Sequence, residues 1–148
     1  MSYDERKTLA TIISTVVYLV MYIIFLVQIF DINNAKFISD MGFWGYVVSF
    51  IFISKILWTM VVEIIFDVIH SMVTKEKKPS IKDERDIAIE LKMLKNAFAF
   101  FMFGFLLSMI SVASMMPPYI MFTIFGLTFI LSEIVGLSSK LYFYRRGY

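Results

Sequence analysis

From Thr8 to Phe30 the chain carries no charged side chain. An α-helix rises about 1.5 Å per residue, so a run of this length crosses the ~30 Å hydrocarbon core of a bilayer. Inside that core the backbone must satisfy its own hydrogen bonds, which restricts a spanning segment to a helix or a closed barrel. Three further runs of the same kind follow at 43–65, 97–116 and 118–137. The second contains Lys55 and Glu63, the third is uncharged and rich in Phe, and the fourth contains Glu133. The hydrophobic share of the 148 residues is 59%, with a mean hydropathy of +0.78. Soluble domains hold roughly 45–50% apolar residues and could not bury so much more. The expected fold is therefore all-α: a polytopic integral membrane protein, a single membrane domain with four transmembrane helices.

The first run exceeds the 7–15 apolar residues typical of a signal peptide, and no small-residue cleavage site follows it, so it is expected to remain part of the protein. With no Cys there is neither a disulfide framework nor a thiolate metal site, and His70 is the single histidine. Nucleophile-elbow, P-loop, zinc-protease and dinucleotide-binding motifs are absent from the sequence. The expectation is a protein that is not an enzyme and needs no cofactor.

Basic residues orient a membrane protein because Lys and Arg are retained on the cytoplasmic side. Arg6 and Lys7 precede the first run, and Lys75, Lys77, Lys78, Lys82, Arg85, Lys92 and Lys95 lie between the second and third. Lys140, Arg145 and Arg146 follow the fourth, whereas Lys36 alone lies in a connection on the opposite side. Both termini and the 67–96 segment are thus expected in the cytoplasm of a cell-membrane protein. The same rule accounts for the basic cluster at 75–82, so nucleic acid is not an expected partner. Trp44, Tyr46 and Tyr119 are expected as interfacial anchors at the far side, and Tyr3, Tyr142 and Tyr144 at the near side.

Within the cytoplasmic segment, Ser80 is placed to cap a helix whose first turn carries Asp83, Glu84 and Asp86. Ile87, Leu91, Leu94 and Phe98 then recur at helical spacing into the third run. One helix from about Ile81 to Met116 is expected, its 81–96 extension projecting about 24 Å below the bilayer if straight. Asp83, Glu84, Arg85, Asp86 and Glu90 form the candidate surface for a cytoplasmic protein partner. The string Tyr3-Asp-Glu-Arg-Lys7 echoes Lys82-Asp-Glu-Arg-Asp86, and Glu63…His70 echoes Glu133…Lys140. The echoes suggest two similar helical hairpins entering from one side.

The run Asp83-Glu84-Arg85-Asp86…Glu90-x-Lys92…Asn96-Ala97, followed by Leu141-Tyr-Phe-Tyr-Arg-Arg-Gly147 at the end of the last helix, carries a resemblance. It resembles a loose group of small four-helix prokaryotic membrane proteins without an assigned activity, whose genes often lie beside those of helix-turn-helix repressors. The resemblance implies the same fold and topology, and it brings neither catalytic nor binding residues.

Charges inside the bilayer are costly unless paired, hydrated or able to snorkel. Counting along helices, Lys55 lies about 18 Å and Glu133 about 22 Å below the far surface, a shared level to within about 4 Å on different helices. They are the expected intramembrane ion pair. It either locks the second helix to the fourth, or lets Glu133 exchange a proton or cation against Lys55. Thr59, Glu63, Asp67 and His70 form a polar stripe toward the cytoplasm on the second helix. That spacing allows a divalent cation, although a helix leaving the membrane turns polar anyway.

Gly104, Ser108 and Ser111 share a face of the third helix, and Ser132, Gly136 and Ser139 a face of the fourth. Such faces let membrane helices approach closely, within one chain or between two copies of a homo-oligomer. Two functional expectations follow. The first is a regulatory or protective multi-pass protein that engages a partner through its cytoplasmic segment; the alternative is a small oligomeric proton- or cation-coupled transporter.

Overall fold

The computed structural model describes residues 3–31, 39–74 and 83–146. Over these residues it is all-α, with four helices each long and apolar enough to cross a membrane: α1 (Tyr3–Asp31), α2 (Met41–Thr74), α3 (Glu84–Ala113) and α4 (Pro118–Arg146). They hold 29, 34, 30 and 29 residues. At about 1.5 Å per residue each exceeds the hydrocarbon thickness, so every helix has an end outside it.

Local chemistry sets the helix ends. Asp40 caps α2, its Oδ1 accepting from the Gly42 N–H at 2.8 Å and the Phe43 N–H at 3.4 Å. Asp83 caps α3, accepting from the Glu84 N–H. Asp83, already extended at φ −71°, therefore takes the role expected of Ser80, which lies outside the described residues together with Lys36, Lys75, Lys77, Lys78 and Lys82. At the other end of α3 the Met115 N–H donates to Val112 O and the Met116 N–H to Ser111 O, the paired bonds of a Schellman stop. Pro118 then opens α4, where its missing N–H costs nothing.

α4 is the hub: it packs most extensively on α3 and also on α1 and α2, which touch each other. α3 makes no extended contact with α1 or α2 among the described residues. The two hairpins are consequently unequal, α3–α4 close and α1–α2 looser. Small residues explain the close one. A Cβ on Gly104 would overlap the Thr128 side chain, and one on Gly136 would sit 2.9 Å from Ala97 Cβ. Gly104, Ser108 and Ser111 on α3 and Ser132 and Gly136 on α4 are all buried within the chain, so both small-residue faces serve intramolecular packing.

The ends of α1, α2, α3 and α4 that carry most of the charge lie together; we call this the charged end. Here Tyr3 donates to Asp67, and the Tyr144 hydroxyl donates to Asp86 at 3.1 Å. The extension of α3 does not project alone. α4 continues beyond Leu137 to Arg146 and runs alongside it, just as α2 continues beyond Ile65 to Thr74. Hydropathy marks where oil ends, whereas the helix continues as long as its backbone bonds do.

Toward the opposite end lies a dry core of Tyr22, Leu26, Trp44, Val47, Ile51 and Ile130. Trp44 is 1% exposed, with its ring 5.9 Å from Phe30 and 6.4 Å from Tyr119. This corrects the expected interfacial anchor: its ring fills the junction of α1, α2 and α4. Tyr46, at 80% exposure, is the residue free to face a headgroup layer. Deeper, Phe52 stacks on Phe129 at 3.9 Å, and Phe101 meets Phe125 at 5.6 Å, while Phe98 and Phe103 stay exposed.

A candidate site: a buried ion pair beside a cavity

Residues repeated every four positions share a helix face. On α1 such a face carries Lys7, Thr11 and Thr15; on α2 it carries Lys55, Thr59, Glu63 and Asp67. α4 adds Ser132 and Glu133, and the three helices direct these groups toward one another.

Lys55 Nζ lies 2.6 Å from Glu133 Oε2, so the expected pair is in contact. The ammonium also donates to Thr59 Oγ1 at 2.7 Å and, more weakly, to Thr15 Oγ1 at 3.5 Å. Thr15 in turn donates to Glu133 Oε1 at 3.4 Å, which closes a ring of three side chains, Lys55, Glu133 and Thr15, with Thr59 attached to it at Lys55. All three Lys55 donors have acceptors, the condition for holding a cation out of water. The Tyr18 ring lies 5.6 Å from Nζ, and the Tyr18 hydroxyl donates to Ile51 O at 3.0 Å and pairs with Ser54. Tyr18 thereby covers the ammonium on the side of the dry core.

On the side of the charged end Glu133 borders a cavity of about 330 Å³. Its walls include Thr11, Thr59, Glu63, Phe129, Ser132 and Glu133, and on the α3 side Met93 and Ala97. A second hollow of about 290 Å³ shares Thr59 and Glu63 with the first and reaches Lys7 and Asp67. Lys7 bridges Glu63 at 3.1 Å and Asp67 at 3.3 Å. The predicted polar stripe is thus assembled, but with a lysine as its counter-ion in place of a metal. His70 stands beside it, its ring edge-on to Tyr3 at 4.7 Å. Among the described residues no three His, Cys, Asp or Glu side chains are grouped to hold a metal ion.

The candidate partner surface fares differently. Asp86 accepts from Tyr144, and Glu90 accepts from Lys140 at 3.3 Å, so both are bound to α4. Lys92 lies over the Phe143 ring at 5.0 Å, and Asn96 donates to Ser139 at 2.9 Å. The two short stretches that carry the sequence resemblance therefore face each other as one α3–α4 seam. Asp83, Glu84 and Arg85 remain exposed at its tip. The stripe Ile87, Leu91, Leu94 and Phe98 points away from α4 and is also exposed.

The α1 contribution was not anticipated. Lys7, Thr11 and Thr15 at a spacing of four were readable, but hydroxyls cost little in a hydrophobic run and draw no attention beside Lys55 and Glu133. No family model, curated protein or solved structure matches this chain.

Proposed function

We propose that this protein is a small cation- or proton-coupled carrier, non-enzymatic, whose working centre is Lys55–Glu133. The carrying observation is an asymmetry of access. Tyr18 and the apolar core cover the pair toward one end, whereas toward the other Glu133 borders a cavity that also reaches the hydroxyls of Thr11, Thr59 and Ser132. With the charged end in the cytoplasm, as its Lys and Arg content favours, this is an inward-facing arrangement. A merely structural pair needs no such cavity. The partner-docking alternative is weakened because Asp86 and Glu90 are engaged within the chain, which leaves it the tip at Asp83, Glu84 and Arg85.

The test is flux. Proteoliposomes holding a pH-sensitive dye and a preset pH gradient are exposed in turn to sodium, potassium and tetraalkylammonium salts. A cation-triggered pH change that requires the protein and is lost in Glu133→Gln supports the reading. Rates equal to those of empty liposomes with every salt refute it.

A further inference from the structure

Resting on that reading, we infer that the cavity takes a one-ring amphiphilic organic cation, and that its binding to Glu133 expels a proton from Lys55. Three observations converge. The first is the lining: the Glu133 carboxylate with Phe129 and Leu137 one turn either side of it on α4, hydroxyls of Thr11, Thr59 and Ser132, and Met93 of α3. Phe129 is held by its stack on Phe52, so it presents a fixed aromatic wall to a cationic head. An inorganic divalent ion would want an oxygen cage, and this predominantly apolar lining cannot supply one.

The second is size and access. About 330 Å³ lies at the small end of the ~300–1,000 Å³ range of ligand sites. Because α3 is held by α4 and stands off α1 and α2, the cavity has Met93 and Ala97 as a side wall facing a cleft between helices. A molecule already dissolved in the inner leaflet would approach Glu133 from this side, away from the hollow at Lys7.

The third is charge balance. Lys55 and Glu133 together are neutral, and an added ammonium would leave the buried group with one excess positive charge. Neutrality returns when the Lys55 N–H bond breaks heterolytically. The electron pair stays on Nζ, the proton leaves to cavity water, and the organic cation takes Lys55's place beside the carboxylate. Thr59 suits both states. Its hydroxyl accepts from the ammonium at 2.7 Å now and can rotate to donate to the free amine. The other charged groups near the site are Glu63 on α2, which lines the cavity, and, one hollow further toward the charged end, Lys7 on α1 and Asp67 on α2, Lys7 bridging Glu63 at 3.1 Å and Asp67 at 3.3 Å.

The test uses full-length protein in weakly buffered detergent, with benzyltrimethylammonium as the probe. This cation cannot itself gain or lose a proton, and neopentylbenzene is its uncharged isostere. Calorimetry reads binding and an indicator dye reads protons. Wild type should release about one proton per cation bound, Lys55→Met should bind more tightly and release none, and Glu133→Gln should not bind. Phe129→Leu, which leaves the ion pair in place, should weaken binding about tenfold with the proton count unchanged. Saturable binding without proton release in wild type overturns the coupling. No saturable binding, or equal binding of neopentylbenzene, overturns the ligand class. A Glu133-dependent response to sodium or potassium in the liposome assay would in that event leave the carrier reading standing.

Discussion

Lys55 and Glu133 touch at 2.6 Å but are unequally covered, with side chains 3% and 29% exposed. The pair's members should therefore fail unequally. Removing the carboxylate in Glu133→Leu strands a buried ammonium, and breaking such pairs costs about 3–5 kcal/mol. Removing the ammonium in Lys55→Met leaves a carboxylate that already meets the cavity and can hydrate, so the loss should be about half as large. The double variant should recover most of the stability, because two apolar chains of similar volume have no desolvation to offset. Reversible unfolding in mixed detergent and SDS, followed by tryptophan fluorescence, measures all three. Equal losses in the two single variants would mean that the cavity holds no water.

Glycine positions separate close helix packing from simple propensity. Gly104→Ala forces a Cβ into Thr128 at the α3–α4 seam and should cost about 1–3 kcal/mol, the usual penalty for overpacking. Gly45 on α2 has nothing within 4 Å of an added Cβ, so Gly45→Ala should be neutral or stabilising by up to about 1 kcal/mol. Thermal unfolding midpoints of the two variants in one detergent give the contrast directly.

The sequence made some of this legible for physical reasons. The Lys55–Glu133 contact followed from depth alone, because two opposite charges at one level in oil have few other ways to exist. Trp44 was misplaced because a tryptophan near a helix end fits an interfacial belt equally well. Its burial depends on where Phe30 and Tyr119 arrive, which is set by the crossing of three helices. The engagement of Asp86 and Glu90 was hidden by the apolar boundary drawn at Leu137, beyond which α4 continues far enough to bring Lys140 and Tyr144 beside them. Thr15 needed only a count of four from Thr11, yet nothing short of the packed helices shows that the count matters.

Trp44 carries an instructive defect. Its Nε1–H is buried with no hydrogen-bond partner among the described residues, an arrangement that costs about 1–3 kcal/mol in an apolar setting. Trp44→Phe removes that donor and keeps a ring between Phe30 and Tyr119, so the lost volume and the relieved N–H should cancel to within about 1 kcal/mol. Trp44→Ala opens a cavity that the rigid surroundings cannot fill, with an expected loss of about 3–5 kcal/mol. SDS-unfolding midpoints rank the variants. A Phe substitution as damaging as Ala would show that the indole nitrogen has a partner, such as a bound water.

Met115 closes α3 in a conformation suited to another residue. Its φ of +54° lies in the left-handed region, where a Cβ crowds the following carbonyl at a cost of roughly 1–2 kcal/mol. The two bonds of the stop, from Met115 to Val112 and from Met116 to Ser111, require that backbone geometry but use no side chain. At 95% exposure the Met115 side chain contributes next to no packing. Met115→Gly should consequently stabilise the protein by about 0.5–1 kcal/mol, the relief of strain being partly offset by the greater freedom glycine gains on unfolding. Met115→Val, β-branched and least tolerant of positive φ, should lose stability instead. Opposite signs for Gly and Val in unfolding midpoints would establish the strained turn, and a shared sign would dissolve it.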